Sequence, residues 1–143
     1  MRIVAILAFG SLIWLGCRGN SNPNKDSNSV KFNQYYLQGQ LLYITHCSNC
    51  HQEDGSGLAR LYPPLDTSDF MANRNAVFCG MKYGFSEPLT VNGIEFVQPM
   101  PGIPSLTDLE VAEISTYIYN TWSHAEGITE VRDVSSALDS CRR

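Results

Sequence analysis

Charged side chains are sparse in this sequence of 143 residues, where they make up 17% of the total. The 10 lysines and arginines are scattered among 14 aspartates and glutamates, which excludes the clustered basic face of a nucleic-acid binder. Beyond residue 16, no apolar run approaches the roughly 20 residues that a membrane-spanning helix needs. Five cysteines are too few for a disulfide-dense miniprotein, and 43% hydrophobic residues exclude a disordered chain. What remains is about one globular domain.

The N-terminus has the pattern of an export signal. Arg2 is followed by an uncharged apolar stretch, Ile3–Gly16, that ends at Cys17 and then turns polar. The residues that end at Cys17, WLGC, resemble the lipobox of bacterial lipoproteins, in which cleavage before the cysteine leaves that residue to carry lipid. The resemblance implies a signal peptide over residues 1–16, a lipidated Cys17 and attachment on the periplasmic side of a bacterial membrane. An ordinary secretory signal, or an uncleaved anchor, remains the alternative.

The segment after Cys17 predicts a spacer. Residues 18–29 contain no apolar side chain, so burial cannot offset the entropy of ordering them. We therefore expect residues 17–29 to be a lipidated cysteine and a flexible tether, followed by one folded domain over residues 30–143.

The most specific motif is CSNCH, residues 47–51. On a turn of helix, Cys47 and Cys50 lie on one face, where they can add to the two vinyl groups of a single porphyrin while His51 is aimed at the iron. A zinc ribbon requires a second cysteine pair at short spacing, and Cys79 and Cys141 are far apart. A thioredoxin-like pair lacks the adjoining histidine. The motif predicts one covalently bound haem c (heme c), with His51 as an iron ligand.

Methionine is the candidate for the second axial position of the iron. Met100 lies in the sequence QPMPG, where two prolines stiffen the backbone around it. Met71 and Met81 fall in a helix-like segment and are interpreted as packing residues. The sequence predicts Met100 as the ligand, and an open or His-ligated site remains the alternative.

With these residues in place, the chain resembles the small monohaem c-type cytochromes of bacterial respiratory chains over about residues 31–122. The segment Gly55-Ser56-Gly57 follows the haem motif as it does in that family, and residues 62–65 (YPPL) are similar to its loop on the histidine side. The resemblance implies that the Pro63 carbonyl accepts a hydrogen bond from the His51 imidazole and that Leu65 packs on the haem. A hydrogen-bond acceptor at the outer ring nitrogen would fix the tautomer of the ligand.

The predicted fold is all-α, with three core helices around the covalent haem, a short β-hairpin and an extra C-terminal helix. Apolar residues spaced by three and four from Phe32 to Tyr43 indicate the first helix, and a capping box at residues 107–110 starts the last core helix. The resemblance implies that these two helices cross where Gly39 and Tyr43 meet Tyr117. Asp69–Met81 predicts a helix between them, and Asn-Gly at residues 92–93 predicts the hairpin.

The C-terminal helix departs from the minimal pattern of that family. Val131, Val134, Leu138 and Cys141 recur at spacings of three and four, which indicates an amphipathic helix. Export places the chain in an oxidising compartment, and an even number of cysteines remains once the others are assigned. We therefore expect a disulfide between Cys79 and Cys141, with two buried free thiols as the alternative.

The predicted function is the transfer of single electrons, without catalysis. Histidine and methionine together fill both axial positions of the iron, and the sequence contains no recognisable nucleophile–base pair or phosphate loop. The expected partners are redox proteins, including membrane-bound respiratory complexes, with membrane contact through the lipid and no nucleic acid. Two alternatives stay open: a haem c subunit of a larger periplasmic dehydrogenase or oxidase complex, and a ligand-binding haem sensor.

Overall fold

The computed structural model describes residues 23–141, most of which are helical. The helices in this range are α1 (Pro23–His46), α2 (Ser48–His51), α3 (Arg74–Tyr83), α4 (Asp108–Ile118) and α5 (Val131–Cys141). The strands are β1 (Gly84–Phe85), β2 (Leu89–Val91), β3 (Ile94–Phe96) and β4 (Met100–Pro101). They form two antiparallel pairs, β1 with β4 and β2 with β3. The predictions of a mostly helical fold and of a short hairpin are confirmed.

The first and fourth helices cross at a glycine. A methyl group added at Gly39 would lie 2.0 Å from the carbonyl oxygen of Glu113 and 3.0 Å from Cβ of Tyr117, so only glycine allows the backbones this close. Beside the crossing, the rings of Tyr43 and Tyr117 lie 5.4 Å apart, and Tyr43 is fully buried. The expected contact of Gly39 and Tyr43 with Tyr117 is confirmed. It fixes the end of α1, which leads directly into the CSNCH motif.

Residues 23–29, where the composition predicts a tether, belong to α1 in the structure, since that helix begins at Pro23. Proline is well suited to the first position of a helix, where its missing N–H is not needed, and extending an existing helix costs less than starting one. The predicted signal peptide, residues 1–16, and Cys17 lie outside the described residues. Within residues 23–141, no helix is long and apolar enough to cross a membrane.

The capping box at the start of α4 is present as predicted. The Thr107 hydroxyl accepts a hydrogen bond from the Glu110 N–H at 3.2 Å, and the Glu110 carboxylate accepts one from the Thr107 N–H at 2.7 Å. Asn120 follows the end of the helix, and its side-chain amide competes for the carbonyl of Thr116 by donating to it at 2.8 Å. Trp122 therefore lies in the following turn, where its ring packs edge-on against Tyr43.

The helix predicted over residues 69–81 is broken in two. Asp69–Ala72 forms a turn of 3-10 helix, and Asn73 then caps α3 by accepting a hydrogen bond from the Ala76 N–H at 3.2 Å. Asparagine favours this capping position over a helix interior, which explains the interruption. Gly84, at φ 77°, ends α3.

The hairpin of β2 and β3 turns at Asn92 and Gly93, which have φ values of 52° and 74°. Positive φ at both positions is what a two-residue turn of type I′ requires. Asn92 also exchanges two hydrogen bonds with Asp69, since its N–H donates to the Asp69 carboxylate at 2.8 Å and its side-chain oxygen accepts from the Asp69 N–H at 2.9 Å. This reciprocal pair attaches the hairpin to the 3-10 turn.

Helix α5 spans Val131–Cys141, as its spacing predicts, and packs against α3 and α4 through the buried side chains of Val134 and Leu138. The structure joins Cys79 of α3 to Cys141 of α5 in a disulfide, with 5.9 Å between the two Cα atoms. The bridge spans 62 residues of chain. A closed loop of that length stabilises the fold by about 4 kcal/mol on chain-entropy arguments.

Candidate haem site

A cavity of about 580 Å³, including the space at its mouth, is lined by residues of α1, α3, α4 and both sheets. The predicted residues Cys47, His51, Pro63, Leu65 and Met100 all border this cavity. Most of its wall is apolar, and further contributors are Tyr43, Phe70, Val77, Phe85, Leu89, Val91, Ile114 and Ile118.

The CSNCH motif forms the turn that its spacing predicts. Cys47 precedes α2, and its carbonyl accepts hydrogen bonds from the N–H groups of Cys50 at 3.1 Å and His51 at 3.0 Å. Cys47 borders the main cavity, whereas Cys50 borders an adjoining cleft that shares His51 and Met100 with it. Both cysteines are half-buried free thiols. One helical turn therefore presents two thiols and an imidazole to one connected apolar space.

His51 is held in one orientation by the loop that follows it. The side chain is only 8% exposed, and its Nδ1 lies 2.9 Å from the carbonyl oxygen of Pro63. Because a carbonyl only accepts hydrogen bonds, Nδ1 carries the proton and the Nε2 lone pair is left for a metal. Burial lowers the pKa of His51, and the hydrogen bond to Pro63 acts in the opposite direction. The neutral imidazole is the form that binds iron.

Two glycines, Gly55 and Gly57, allow the loop that contains Pro63 to pack closely against the His51 segment. The Gly57 N–H donates to the His51 carbonyl at 3.0 Å, and the Leu65 N–H donates to the Gly55 carbonyl at 2.8 Å. A methyl group at Gly57 would lie 2.6 Å from the carbonyl carbon of Pro63. The Gly-Ser-Gly segment therefore sets the distance between α2 and the Pro63 loop, and Leu65 forms part of the cavity wall beside it.

The three methionines of the described residues all reach the cavity, but in different settings. Met71 and Met81 are buried members of the core, as predicted. Met100 is half-buried on β4 and is the one of the three that borders both the cavity and the adjoining cleft, as His51 also does. Met100 pairs in register with Phe85 of β1. The structure therefore brings Met100 and His51 to the same space and gives Met100 a fixed backbone.

Sequence reasoning missed part of the cavity wall. Leu89 and Val91 line it from β2, and Phe85 lines it from β1. Leu89 and Val91 alternate with the exposed Thr90, a pattern typical of a strand with one buried face, so a signal for those two was present. Phe85 carries no comparable signal, because its strand is two residues long and pairs with a segment 15 residues away.

We predict that Gly57→Ala lowers the free energy of unfolding more than Gly93→Ala does. Of the two variants, only Gly57→Ala should disturb the contact between His51 and the Pro63 loop. Both glycines have positive φ, 69° and 74°, so both substitutions strain the backbone by a similar amount. A methyl group at Gly93 meets nothing within 4 Å, whereas one at Gly57 overlaps the Pro63 loop, which adds about 1–3 kcal/mol. Denaturant unfolding and the reduction potential of the haem-loaded protein measure the two effects. Equal stability loss and an unchanged potential in both variants would contradict the prediction.

The residues around the cavity suit haem c rather than zinc or a reactive dithiol. Burial raises the pKa of the Cys47 thiol to about 12, so the free thiol is protonated and is a poor nucleophile for disulfide exchange. Among residues 23–141, no group of three or more His, Cys, Asp or Glu side chains is placed to hold a metal ion. The cavity is apolar, as a porphyrin requires. Its two thiols can form the covalent links to the porphyrin, and its neutral imidazole and methionine sulfur can bind the iron.

Comparisons with known proteins agree with this assignment. The chain is 26% identical over 129 residues to the cytochrome c subunit of a quinone alcohol dehydrogenase from Gluconacetobacter polyoxogenes, covering 83% of this chain and 27% of that protein. It is 26% identical over 95 residues to cytochrome c-552 of Thermus thermophilus, covering 63% of this chain and 72% of the relative. The chain thus spans about a quarter of the length of the dehydrogenase subunit.

A family model described as cytochrome c matches residues 36–122, which run from the middle of α1 to the turn after α4. This match contains the CSNCH motif, the Pro63 loop and Met100. Members of the family carry covalently attached haem c and transfer electrons, in agreement with the predicted cofactor and function. The chain therefore belongs to the cytochrome c family.

Proposed function

We propose that this protein is a six-coordinate electron carrier in which Cys47 and Cys50 attach the haem, and His51 and Met100 are its axial ligands. The observation that supports this best is that His51 and Met100 border the same cavity and the same cleft, with the His51 imidazole fixed by Pro63. When bound, haem c supplies a single-electron iron couple. We also propose that α1, α3 and α4 are the three core helices around it.

The residues around the haem would keep electron transfer fast and would exclude other reactions at the iron. His51, buried and hydrogen-bonded, has no freedom to reorient when the charge at the site changes. Leu65 and the other apolar wall residues exclude water, so little solvent needs to reorganise. With both His51 and Met100 bound to the iron, no coordination position would be left for a substrate, so we assign no catalytic residue.

The cleft beside Cys50 is the proposed route for electrons. It is bordered by Gln98 and Pro99, and the neighbouring Val97 is 67% exposed. A small contact surface around this cleft suits the brief contacts that redox partners make. The net charge of −4 favours partners with a basic docking surface.

We predict that the purified haem-loaded protein does not bind carbon monoxide promptly after reduction. The reason is that Met100 fills the position that the gas would take, whereas a haem sensor leaves it open. An optical spectrum of the reduced protein, recorded before and after addition of the gas, makes the measurement. A prompt spectral shift would favour the sensor and contradict the six-coordinate carrier.

We further propose that lipid on Cys17 tethers the protein to the periplasmic side of a membrane, near its respiratory partners. Support comes from the sequence: the apolar segment 3–16 ends directly at Cys17. With α1 starting at Pro23, only residues 18–22 separate the lipid from the helix, which is at most about 18 Å of extended chain.

We predict that Cys17→Ala moves the protein from the membrane fraction to the soluble fraction, or leaves it as an uncleaved precursor. Fractionation of cells and the mass of the product distinguish these two results, and each supports lipidation when the unmodified protein has the mass of the cleaved, lipid-bearing form. Ser21→Ala is the matched control, because it lies in the same segment and is expected to stay with the membrane. A Cys17→Ala protein of mature mass that remains membrane-bound would contradict the proposal.

One surface favours a second candidate, a haem c subunit of a larger complex. Three large apolar side chains on α1 are 47–60% exposed, and residues 32–45, which contain them, carry no charge: Leu37, Leu41 and Ile44. Apolar surface without charged residues is typical of the centre of a protein interface. The native mass of the protein in a mild detergent extract separates a free carrier from a subunit.

A further inference from the structure

The last helix is attached to the protein at a place that bears on the proposed Met100 ligand. No residue of α5 borders the cavity, and α5 lies beyond the part of the chain that matches the family model. Yet α5 is bonded to α3 through Cys79–Cys141 and packed on it through Val134 and Leu138.

The end of α3 determines where Met100 lies. Strand β1 follows α3 directly, and its Phe85 pairs with Met100. Past the methionine, the Ile103 N–H donates to the carbonyl of Met81 at 2.9 Å. A methyl group at Gly84 would lie 2.4 Å from the Met100 carbonyl oxygen, so the two segments are in direct backbone contact. Residues 100–103 therefore move with the last turn of α3.

Helix α3 is too short to be rigid on its own. It has ten residues, and isolated helices below about 12–15 residues are marginal in water. The pairing of β1 with β4 adds only two residues on each side. Cys79 lies in the middle of α3, two residues before Met81, so the bridge to α5 acts close to the turn that supports Met100.

We propose that the Cys79–Cys141 bridge and α5 are a positioning brace that keeps Met100 on the iron. This inference rests on the proposed role of Met100 as the axial ligand. Without the bridge, the end of α3 and residues 100–103 open as a unit, and the sulfur leaves the iron while α1, α4 and the His51 side stay folded.

The test uses the haem-loaded double variant Cys79→Ser/Cys141→Ser in the full chain. The weak far-red band of the ferric protein reports the sulfur–iron bond, and far-ultraviolet circular dichroism reports the helices. We expect the band to disappear at a clearly lower denaturant concentration than the helical signal. In the unmodified protein, we expect the two transitions to coincide. The reduction potential of the double variant should also fall, because the methionine-bound state is populated less.

Tyr36→Leu is the matched control. Its ring packs on Phe32 and Tyr117 between α1 and α4, away from α3, so it lowers stability without touching the brace. In this variant both transitions should shift together and the potential should stay unchanged. Coincident transitions in the bridge variant, as in the control, would overturn the brace. If the far-red band is missing from the unmodified protein, the Met100 ligand itself is wrong, so the two failures are distinct.

A second experiment does not depend on the double variant folding and acquiring haem. The bridge of the finished haem-loaded protein is reduced with a phosphine, the two thiols are alkylated, and the haem is reoxidised with ferricyanide. Loss or early melting of the far-red band, with the helical signal retained, supports the brace. A band that melts together with the helices, as before treatment, contradicts it.

Discussion

The variant Cys47→Ala/Cys50→Ala is expected to contain no covalently bound haem. Each thiol supplies one thioether, and the two lie on the single turn of helix that ends at His51. The other cysteines of residues 23–141 are bonded to each other, so neither can substitute. Each single variant retains one possible thioether and should give a haem whose reduced spectrum is shifted by the remaining vinyl group. Acid–acetone extraction and the mass of the intact protein measure the covalent bond directly.

Ser48→Ala is the matched control for these variants. Ser48 lies between the two cysteines, and its hydroxyl donates only to the Ile44 carbonyl on the exposed side of the turn, at 2.9 Å. This variant should retain the full mass of protein plus haem. Haem that stays with the double-alanine protein through extraction would show that the attachment residues have been assigned wrongly.

Local chemistry explains which parts of this fold can be predicted from sequence. The CSNCH turn, the capping box at Thr107 and the Asn-Gly hairpin each depend on a few adjacent residues, and each forms as predicted. The hydrogen bond from His51 to Pro63 spans 12 residues, and the family resemblance was needed to expect it. The turn, the capping box and the hairpin can be predicted from sequence because their interacting groups are close along the chain.

The errors arise where distant contacts or competing side-chain hydrogen bonds decide the structure. Asn120 follows the end of α4 and competes for the Thr116 carbonyl, and Trp122 lies off the helix, although the apolar spacing extends through it. The start of α1 has a different cause, since Pro23 suits the first position of a helix although the segment around it contains no apolar residue. The β1–β4 pair has no pattern of its own, since two residues are too few for alternation to show. That pair is what gives Met100 its place, so the sequence predicts the ligand but not the element that supports it.

Met100→Ala is expected to remove the far-red sulfur–iron band and to open the iron to carbon monoxide. Met100 is the methionine shared by the cavity and the cleft that His51 also borders, and alanine has no atom that can replace its sulfur. Since a thioether ligand favours the reduced iron, the reduction potential should fall by on the order of 100 mV or more. The fold should persist, because Met100 is a half-buried residue of a two-residue strand.

Met81→Leu is the control that makes the Met100 result specific. Met81 also borders the cavity, but it belongs to the buried core, and leucine conserves most of its volume at a cost of less than about 1.5 kcal/mol. This variant should keep the band and the potential of the unmodified protein. If the band instead survives Met100→Ala and is lost in Met81→Leu, then α3 itself supplies the ligand. In that case the strand pair β1–β4 serves to close the cavity and not to position the sulfur.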